Sequence, residues 1–594
     1  VRALFVGTLF VFSLFAAQLV RLQGIEAEAL AKPGQDLRRR ADVIPARRGQ
    51  ILDRDGVSLA AEVQRYDIVV NQEALREYTK TAPATKRREK VGTAGAAQDL
   101  ARVLKTTVAD LAPKLTGDSK YVIVAKRVEP LTWRDVKALG IPGVTAEARP
   151  QRSYPGGASA AALVGWIGST GVARQGDGGG LELMYNQALE GQHGESLREY
   201  SLDDRVIPTG YNQTVPAVPG GDVLLHLDQD LQWYAYNTVA QQVQELEAAA
   251  GYVVVMDVQG RLRATAQYPT FDPEQRGKPG AVLRNMAFQD VFEPGSTAKV
   301  MSVGAALAEG VVSPTTMFAV PDKISRADKV FHDSHSHPEE RLTVAGILAQ
   351  SSNVGSIEVG EKVSPEKLEA YYRGFGAGQL SATRFPGEAA GLFAPASQWS
   401  GSQRYTVLFG HGMAMSAVQA AGVFQTVANG GVRVPASVVA GVTQPDGSFV
   451  ANPAPTPVRV VPETVAGQLR RMMESVVGEG GTAKQAMIPG YRVAGKTGTA
   501  ELYGGRGYTS SFIGFAPAEK PQFIVAVVLQ NPKKGHYGGA TAGPVFRKVM
   551  SYALSAAGIP PSTEAFTPYP LGDPDKAARR AKAGTANART TPTR

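Results

Sequence analysis

The 594-residue chain contains no cysteine. Disulfides, a thiol nucleophile and cysteine-ligated zinc or iron–sulfur centres are therefore excluded. The net charge is +9, yet no basic stripe interleaved with aromatics and no nucleic-acid motif accompanies it, so a nucleic-acid partner is not expected. Much of the surplus lies between Leu571 and Arg594, where six Lys/Arg face two Asp, with smaller clusters at Arg38-Arg39-Arg40 and Lys86-Arg87-Arg88. This reads as a solvated basic surface near anionic lipid or cell-wall polymer. No internal repeat is present, and no segment beyond the first two dozen residues is apolar enough to cross a bilayer. With 43% apolar and 20% charged residues, the composition is that of a globular protein in which disorder is local.

The amino-terminal run is long. Ala3 to Val20 carries no charge, is dominated by Leu, Phe, Val and Ala, and is bracketed by Arg2 and Arg21. As a helix it spans about 27 Å, close to the hydrocarbon thickness of a membrane. The apolar core of a cleaved signal is shorter, about 7–15 residues, and a small-x-small site follows it. No such site follows here. Residues 1–22 are expected to be an uncleaved transmembrane anchor, with the rest of the chain on one side of the membrane.

Residues 23–47 read as a polar stalk. The string Arg47-Arg48-Gly49-Gln50-Ile51-Leu52-Asp53-Arg54-Asp55-Gly56-Val57-Ser58-Leu59-Ala60 places a hairpin turn at Asp55-Gly56 between two short strands. Mixed short strands and helices continue to about residue 220, broken by glycines at Gly156-Gly157 and Gly176 to Gly180. A second globular unit opens near Gly221 with a helix over Gln229–Ala249. A strand pair follows at Tyr252–Val258 and Arg261–Tyr268, turning at Gln259-Gly260. After a helical middle, strands return at Tyr491–Ala500, Ser511–Phe515 and Phe523–Leu529. Two strands before and three after a helical insert predict one five-stranded antiparallel sheet flanked by helices, an α+β fold. From about Pro561 the chain is rich in Pro, Thr, Ala, Gly and charge and is expected to be a disordered tail, 561–594.

Three short motifs carry chemistry. In Phe292-Glu293-Pro294-Gly295-Ser296-Thr297-Ala298-Lys299, Pro-Gly halts the preceding chain and a largely apolar helix follows, closing at Gly310. Such a helix is buried. Ser296 falls in its first turn and Lys299, at i+3, shares its face. Desolvation lowers the pKa of a lysine there and equips it as a base. The helix amino terminus aims N–H groups at a developing oxyanion. Alone the pattern is weak, since Ser364-Pro365-Glu366-Lys367 repeats it; there Ser followed by Pro is a helix N-cap.

The second motif is Ser351-Ser352-Asn353, 55 residues after Ser296, in a loop between Leu342–Gln350 and a helix beginning near Val354. It reads either as a helix cap or as a proton relay at Ser351 with Asn353 orienting a lysine and substrate. The third is Lys496-Thr497-Gly498-Thr499 on a strand, where an ammonium flanked by hydroxyls suits a carboxylate. Gly498 would allow a ligand close to the strand edge. A bulged strand is the plain alternative.

In this order the motifs resemble those of the penicillin-binding protein and serine β-lactamase superfamily. Ser364 fails as nucleophile because it follows the Ser-x-Asn motif. The resemblance runs from the anchor to about Leu554. Arg48-Gly49, Asp53-Arg54-Asp55-Gly56, Leu59-Ala60, Gly180-Leu181-Glu182, Tyr185, Leu189-Glu190-Gly191 and Gly194 look like the pedestal of class B penicillin-binding proteins. Phe409-Gly410-His411-Gly412, Gln419, Ala428-Asn429-Gly430-Gly431 and Gly480-Gly481-Thr482-Ala483 match in the catalytic half. The Ser-Ser-Asn-Val-Gly and Phe-Gly-His-Gly runs resemble the division branch rather than the elongation branch.

The resemblance implies a penicillin-binding transpeptidase fold at 221–560, an elongated α+β pedestal of the dimerisation type at 23–220, and septal D,D-transpeptidation of peptidoglycan stem peptides. It assigns Ser296 as nucleophile, Lys299 as base, and Ser351, Asn353 and Lys496 as further catalytic groups, with Thr497, Gly498 and Thr499 binding substrate. The oxyanion hole would be the N–H groups of Ser296 and Thr499. No metal or organic cofactor is implied. β-Lactams are expected covalent ligands, and a SEDS-family glycosyltransferase and other divisome membrane proteins are expected partners. The alternative is a β-lactam-binding scaffold without turnover. His332-Asp333-Ser334-His335-Ser336-His337 could hold zinc, but as a short polar loop before Pro338 it reads as solvated or substrate-side.

Overall fold

The computed structural model describes residues 1–25, 38–81, 86–168, 171, 173–200, 206–502 and 507–573. About half of the expected stalk, 26–37, and the basic end of the tail, 574–594, lie outside the described residues. The chain groups into two compact units. One comprises Val1–Gly49, Gln187–Asp222 and Thr443–Phe449, and the other comprises the remainder.

In the first unit, Arg2–Val20 forms a helix with no buried residue. It is long and apolar enough to cross a membrane. An apolar helix without a protein partner is the pattern of a lipid-facing segment. Three antiparallel strands, Arg39–Ile44, Gly194–Glu199 and Asn212–Val215, form a small sheet in the same unit.

The second unit is built on the five-stranded sheet. Its strands are β1 (Ala250–Asp257), β2 (Leu262–Tyr268), β3 (Ala494–Glu501), β4 (Tyr508–Ala516) and β5 (Phe523–Gln530). They lie in the order β2-β1-β5-β4-β3, with every neighbouring pair antiparallel. The alternation of side chains along a strand sorts the core into two faces. Val253 and Val255 of β1 and Val525, Val527 and Leu529 of β5 pack with Leu231, Ala235, Val239 and Val243 of α1 (Gln229–Glu245). Phe546, Val549 and Met550 join the same core from a carboxy-terminal helix, Gly543–Ala556. The sheet is buried on both sides, which is why β1 and β5 read as nearly continuous apolar runs.

Between β2 and β3 lie, among other helices, α2 (Lys299–Ala308), α3 (Val344–Gln350), α4 (Asn353–Gly360), α5 (Ala417–Ala428) and α6 (Glu463–Val477). The carboxy-terminal helix is α7. α5 packs on β1, β4 and β5, and α6 packs on β3 and α3.

Residues 50–186, part of the expected pedestal, group by their contacts with this same unit. Asp53 supplies part of the reason. Its buried carboxylate accepts from the N–H groups of Asp55 (2.9 Å) and Val57 (2.8 Å), closing the expected hairpin turn, and from Gln229 N–H (3.2 Å) at the start of α1. Arg54 N–H donates to the Leu227 carbonyl at 2.8 Å. Farther out, Tyr66–Val70 pairs with Val122–Val128 and Val144–Ala148 over a separate core that includes Leu75, Leu100, Leu111 and Val136.

Residues 561–573 depart from the disorder expected of their composition. Ser562, Phe566, Tyr569 and Leu571 are half-buried against the second unit. Apolar anchors at that spacing offset the ordering entropy, which Pro560, Pro561, Pro568 and Pro570 have already reduced.

Candidate active site

The three motifs meet at the edge strand β3. Ser296 lies in a single 3-10 turn, Gly295–Ala298, immediately before α2. The tighter turn replaces the regular first turn of helix expected from sequence. Gly295 has φ of +52°, a left-handed conformation that glycine adopts without strain, and a Cβ there would stand 3.2 Å from the Thr499 carbonyl. The Ser296 turn thus packs directly on the Lys496–Thr499 strand. The α-carbon of Gly498 faces the Pro294 carbonyl, Thr297 and Ser511 Oγ. On that side the glycine admits the protein's own turn, where the sequence reading had a ligand.

The segment Phe409–Gly412 supports the turn from behind. Gly295 N–H donates to the Gly410 carbonyl at 3.1 Å, and Phe292 N–H donates to the Met415 carbonyl at 3.0 Å. Gly410 is left-handed, at φ +82°, and a side chain there would overlap the Gly295 backbone. Glu293 accepts from Gly412 N–H at 2.9 Å and pairs with His411 Nδ1 at 2.8 Å.

Both lysines are fully buried, and their partners define the site. Lys299 Nζ donates to Asn353 Oδ1 (2.7 Å) and to the Ser351 carbonyl (2.5 Å), with Ser351 Oγ at 3.4 Å. Lys496 Nζ donates to Ser351 Oγ at 2.8 Å and lies 3.2 Å from the Thr497 carbonyl. The Ser351 hydroxyl therefore bridges the two ammonium positions. Desolvation pulls Lys299 down to about 7, partly opposed by the Asp333 carboxylate. Desolvation, with Lys299 adding to it, also holds Lys496 well below the usual lysine range. Two cations sharing one hydroxyl oppose each other, so the pair titrates as a unit. The half-buried Ser296 hydroxyl makes no hydrogen bond among the described residues.

The Ser-Ser-Asn motif caps a helix and also meets both lysines. Ser352 is the N-cap of α4, its Oγ accepting from Gly355 N–H at 2.9 Å. Ser351 closes α3 in a left-handed conformation, φ +64°. That geometry is costly for a non-glycine residue, and it turns the Ser351 carbonyl and hydroxyl toward the lysines. The decoy Ser364 caps its helix, with Pro365 at the first position, and Lys367 pairs with Glu309.

Asp333 is the functional residue that sequence reasoning missed. It is buried at the amino end of α4 and accepts from Ser352 Oγ (2.7 Å), Val354 N–H (3.0 Å), Asn353 N–H and His337 Nε2 (3.1 Å). Asn353 Nδ2 donates to the His332 carbonyl at 3.1 Å. The histidine-rich loop thus holds Asn353, and through it Lys299, in place. Its only sequence signal was an acid inside a polar loop 20 residues before Asn353. On the strand side, Thr497 Oγ1 lies 2.9 Å from Thr482 Oγ1, and Thr499 Oγ1 accepts from Gly538 N–H at 3.2 Å.

Comparison with known proteins decides the family. Residues 251–551 match the penicillin binding protein transpeptidase domain, and residues 43–225 match the penicillin-binding protein dimerisation domain. Penicillin-binding protein PbpB of Mycobacterium tuberculosis is 34% identical over 94% of this chain and 84% of its own length. This chain belongs to the class B penicillin-binding proteins of the division type. Another relative, peptidoglycan D,D-transpeptidase FtsI of Escherichia coli, is 32% identical over 91% of this chain and 89% of its own length. Among solved structures, penicillin binding protein 3 from M. tuberculosis complexed with aztreonam aligns with a TM-score of 0.68 and 29% identity, covering 90% of this chain and all of that one. A class B penicillin-binding protein accounts for the order Ser296, Ser351, Lys496, and for the hairpin at Asp53, which falls in the matched dimerisation segment.

Proposed function

We propose that the protein is a serine D,D-transpeptidase that cross-links peptidoglycan stem peptides at the division septum and is acylated by β-lactams. The observation that carries this reading is the Ser351 hydroxyl, 2.8 Å from Lys496 Nζ and 3.4 Å from Lys299 Nζ, beside the strand on which the Ser296 turn rests. It provides a base near neutrality, a proton path and a carboxylate-binding strand in one place.

The chemistry follows from these groups. The donor peptide lies along β3, its terminal carboxylate at Thr497, Thr499 and the charge shared by the lysine pair. Neutral Lys299 takes the proton of Ser296, whose oxygen attacks the penultimate D-alanine carbonyl. The N–H groups of Ser296 and Thr499 stabilise the oxyanion. As the intermediate collapses, the C–N bond breaks, and the departing D-alanine nitrogen receives the proton held by Lys299, passed through Ser351, which leaves Lys299 neutral again. An acceptor amine then attacks the ester, giving its proton to Lys299, and Ser296 recovers its hydroxyl. A β-lactam opens the same way, but its leaving nitrogen stays tethered and obstructs the acceptor. The apolar amino-terminal helix supports a single-pass anchor with the catalytic unit outside the cytoplasmic membrane. A polytopic SEDS-family glycosyltransferase is the expected partner there, together with other divisome membrane proteins.

Replacing Ser296 with Ala tests the reading. Labelling by a fluorescent penicillin should vanish while cooperative unfolding is retained. Labelling that persists would refute it, and loss of labelling with full rescue of septation in a depleted strain would favour a non-catalytic scaffold.

A further inference from the structure

The segment 559–573 connects two of the three motif-bearing elements. It starts beside the lead-in to β3. Tyr491 Oη donates to the Ile559 carbonyl at 2.6 Å, Ser562 N–H donates to the Gly490 carbonyl at 2.8 Å, and Arg492 N–H donates to Ser562 Oγ at 2.9 Å. It then crosses α6, where Arg471 Nε donates to the Thr567 carbonyl at 2.6 Å and the guanidinium lies 4.1 Å from the centre of the Tyr569 ring. It ends on the amino terminus of α3. Thr343 Oγ1 donates to the Pro570 carbonyl at 2.6 Å, Thr343 N–H donates to the Leu571 carbonyl at 3.2 Å, and Gly572 bridges to Leu342.

α3 is short, seven residues, and Ser351 is its last cap. A helix of that length has negligible stability of its own, so its contacts set its position. Thr343 is its N-cap, accepting from Gly346 N–H at 2.9 Å with the same hydroxyl that donates to Pro570. Gly346 gives a second, independent sign. A glycine inside a helix costs about 1 kcal/mol relative to alanine. Here a methyl would overlap the Leu571 carbonyl oxygen, so the glycine makes room for this segment.

We propose that residues 561–573 are a positioning strap for acylation, holding α3, and therefore Ser351, in register with the Lys496 strand. The strap touches no reacting atom. Its effect passes through α3 to the Ser351 hydroxyl and through Gly490 and Arg492 to the start of β3. The proposal rests on the transpeptidase reading above, since it concerns the rate at which Ser296 is acylated.

The test compares three chains: the full chain, one ending at Asp573 and one ending at Pro560. Stopped-flow acylation by a fluorescent penicillin separates non-covalent affinity from the acylation step. The chain ending at Asp573 should match the full chain. The chain ending at Pro560 should lose about 10- to 100-fold in the acylation step, the scale of an ångström-level misplacement, with affinity little changed. A synthetic peptide of residues 561–573 should restore the rate. Gly346→Ala and Arg471→Gln in the full chain should lower the same step, and they decide the matter if the truncated chain does not fold. A cooperatively folded strap variant that acylates within about two-fold of the parent overturns the proposal. Absence of acylation in the parent would instead overturn the transpeptidase reading.

Discussion

Asp333→Asn separates the two influences that Asp333 exerts on the site. The carboxylate accepts four hydrogen bonds, from Ser352, Asn353, Val354 and His337. Asparagine keeps one oxygen for the α4 N–H groups and presents an NH2 where Ser352 Oγ and His337 Nε2 now donate. At about 1.5 kcal/mol for each of those two charge-assisted bonds, stability should fall by about 3 kcal/mol. The charge acts on Lys299 separately. Burial draws that lysine down to about 7, and Asp333 draws it back up. Removing the carboxylate should lower it further, by about one pH unit. Acylation needs neutral Lys299, so the rate rises with pH through its pKa. The acid limb of the variant should therefore have its midpoint below that of the parent. The groups facing Lys299 are Asp333, His337 behind it, and Lys496, which shares Ser351. Second-order acylation by a fluorescent penicillin, measured from about pH 5 to about pH 9, brackets the limb. A midpoint that stays put or moves up, with Ser296 still labelled, would refute the reasoning.

Ser351→Ala should slow acylation about 100-fold or more by removing the relay between the lysines, read as the acylation rate at constant affinity. Ser364→Ala is the matched control: loss of an N-cap should cost about 1 kcal/mol in urea unfolding and leave acylation unchanged. Arg152→Ala breaks a buried pair in which Arg152 Nε donates to Glu182 at 2.6 Å. Removing one partner of such a pair should cost about 3–5 kcal/mol, measured by chemical denaturation.

The residues that meet at the candidate site were legible because each motif also states its local structure. Pro294-Gly295 stops one segment and an apolar helix follows, Ser352 caps α4, and Lys496 lies in an uninterrupted strand. The sheet was legible for the same reason, since its apolar runs are long and turn-bounded. Asp333 was not, because a buried carboxylate in a polar loop has the composition of a solvated one. The strap at 561–573 misled for a related reason: prolines and small residues describe a chain without a core of its own, and they cannot show that Phe566, Tyr569 and Leu571 find one elsewhere.

Local sequence determined which side chains could react, since the helix start, the cap and the strand each follow from neighbours within a few residues. Tertiary structure alone decided that Ser351 would lie between Lys299 and Lys496, 52 and 145 residues away. It also buried both amines. Lowering a lysine to about 7 requires removing water from every side, which residues near it in sequence cannot do.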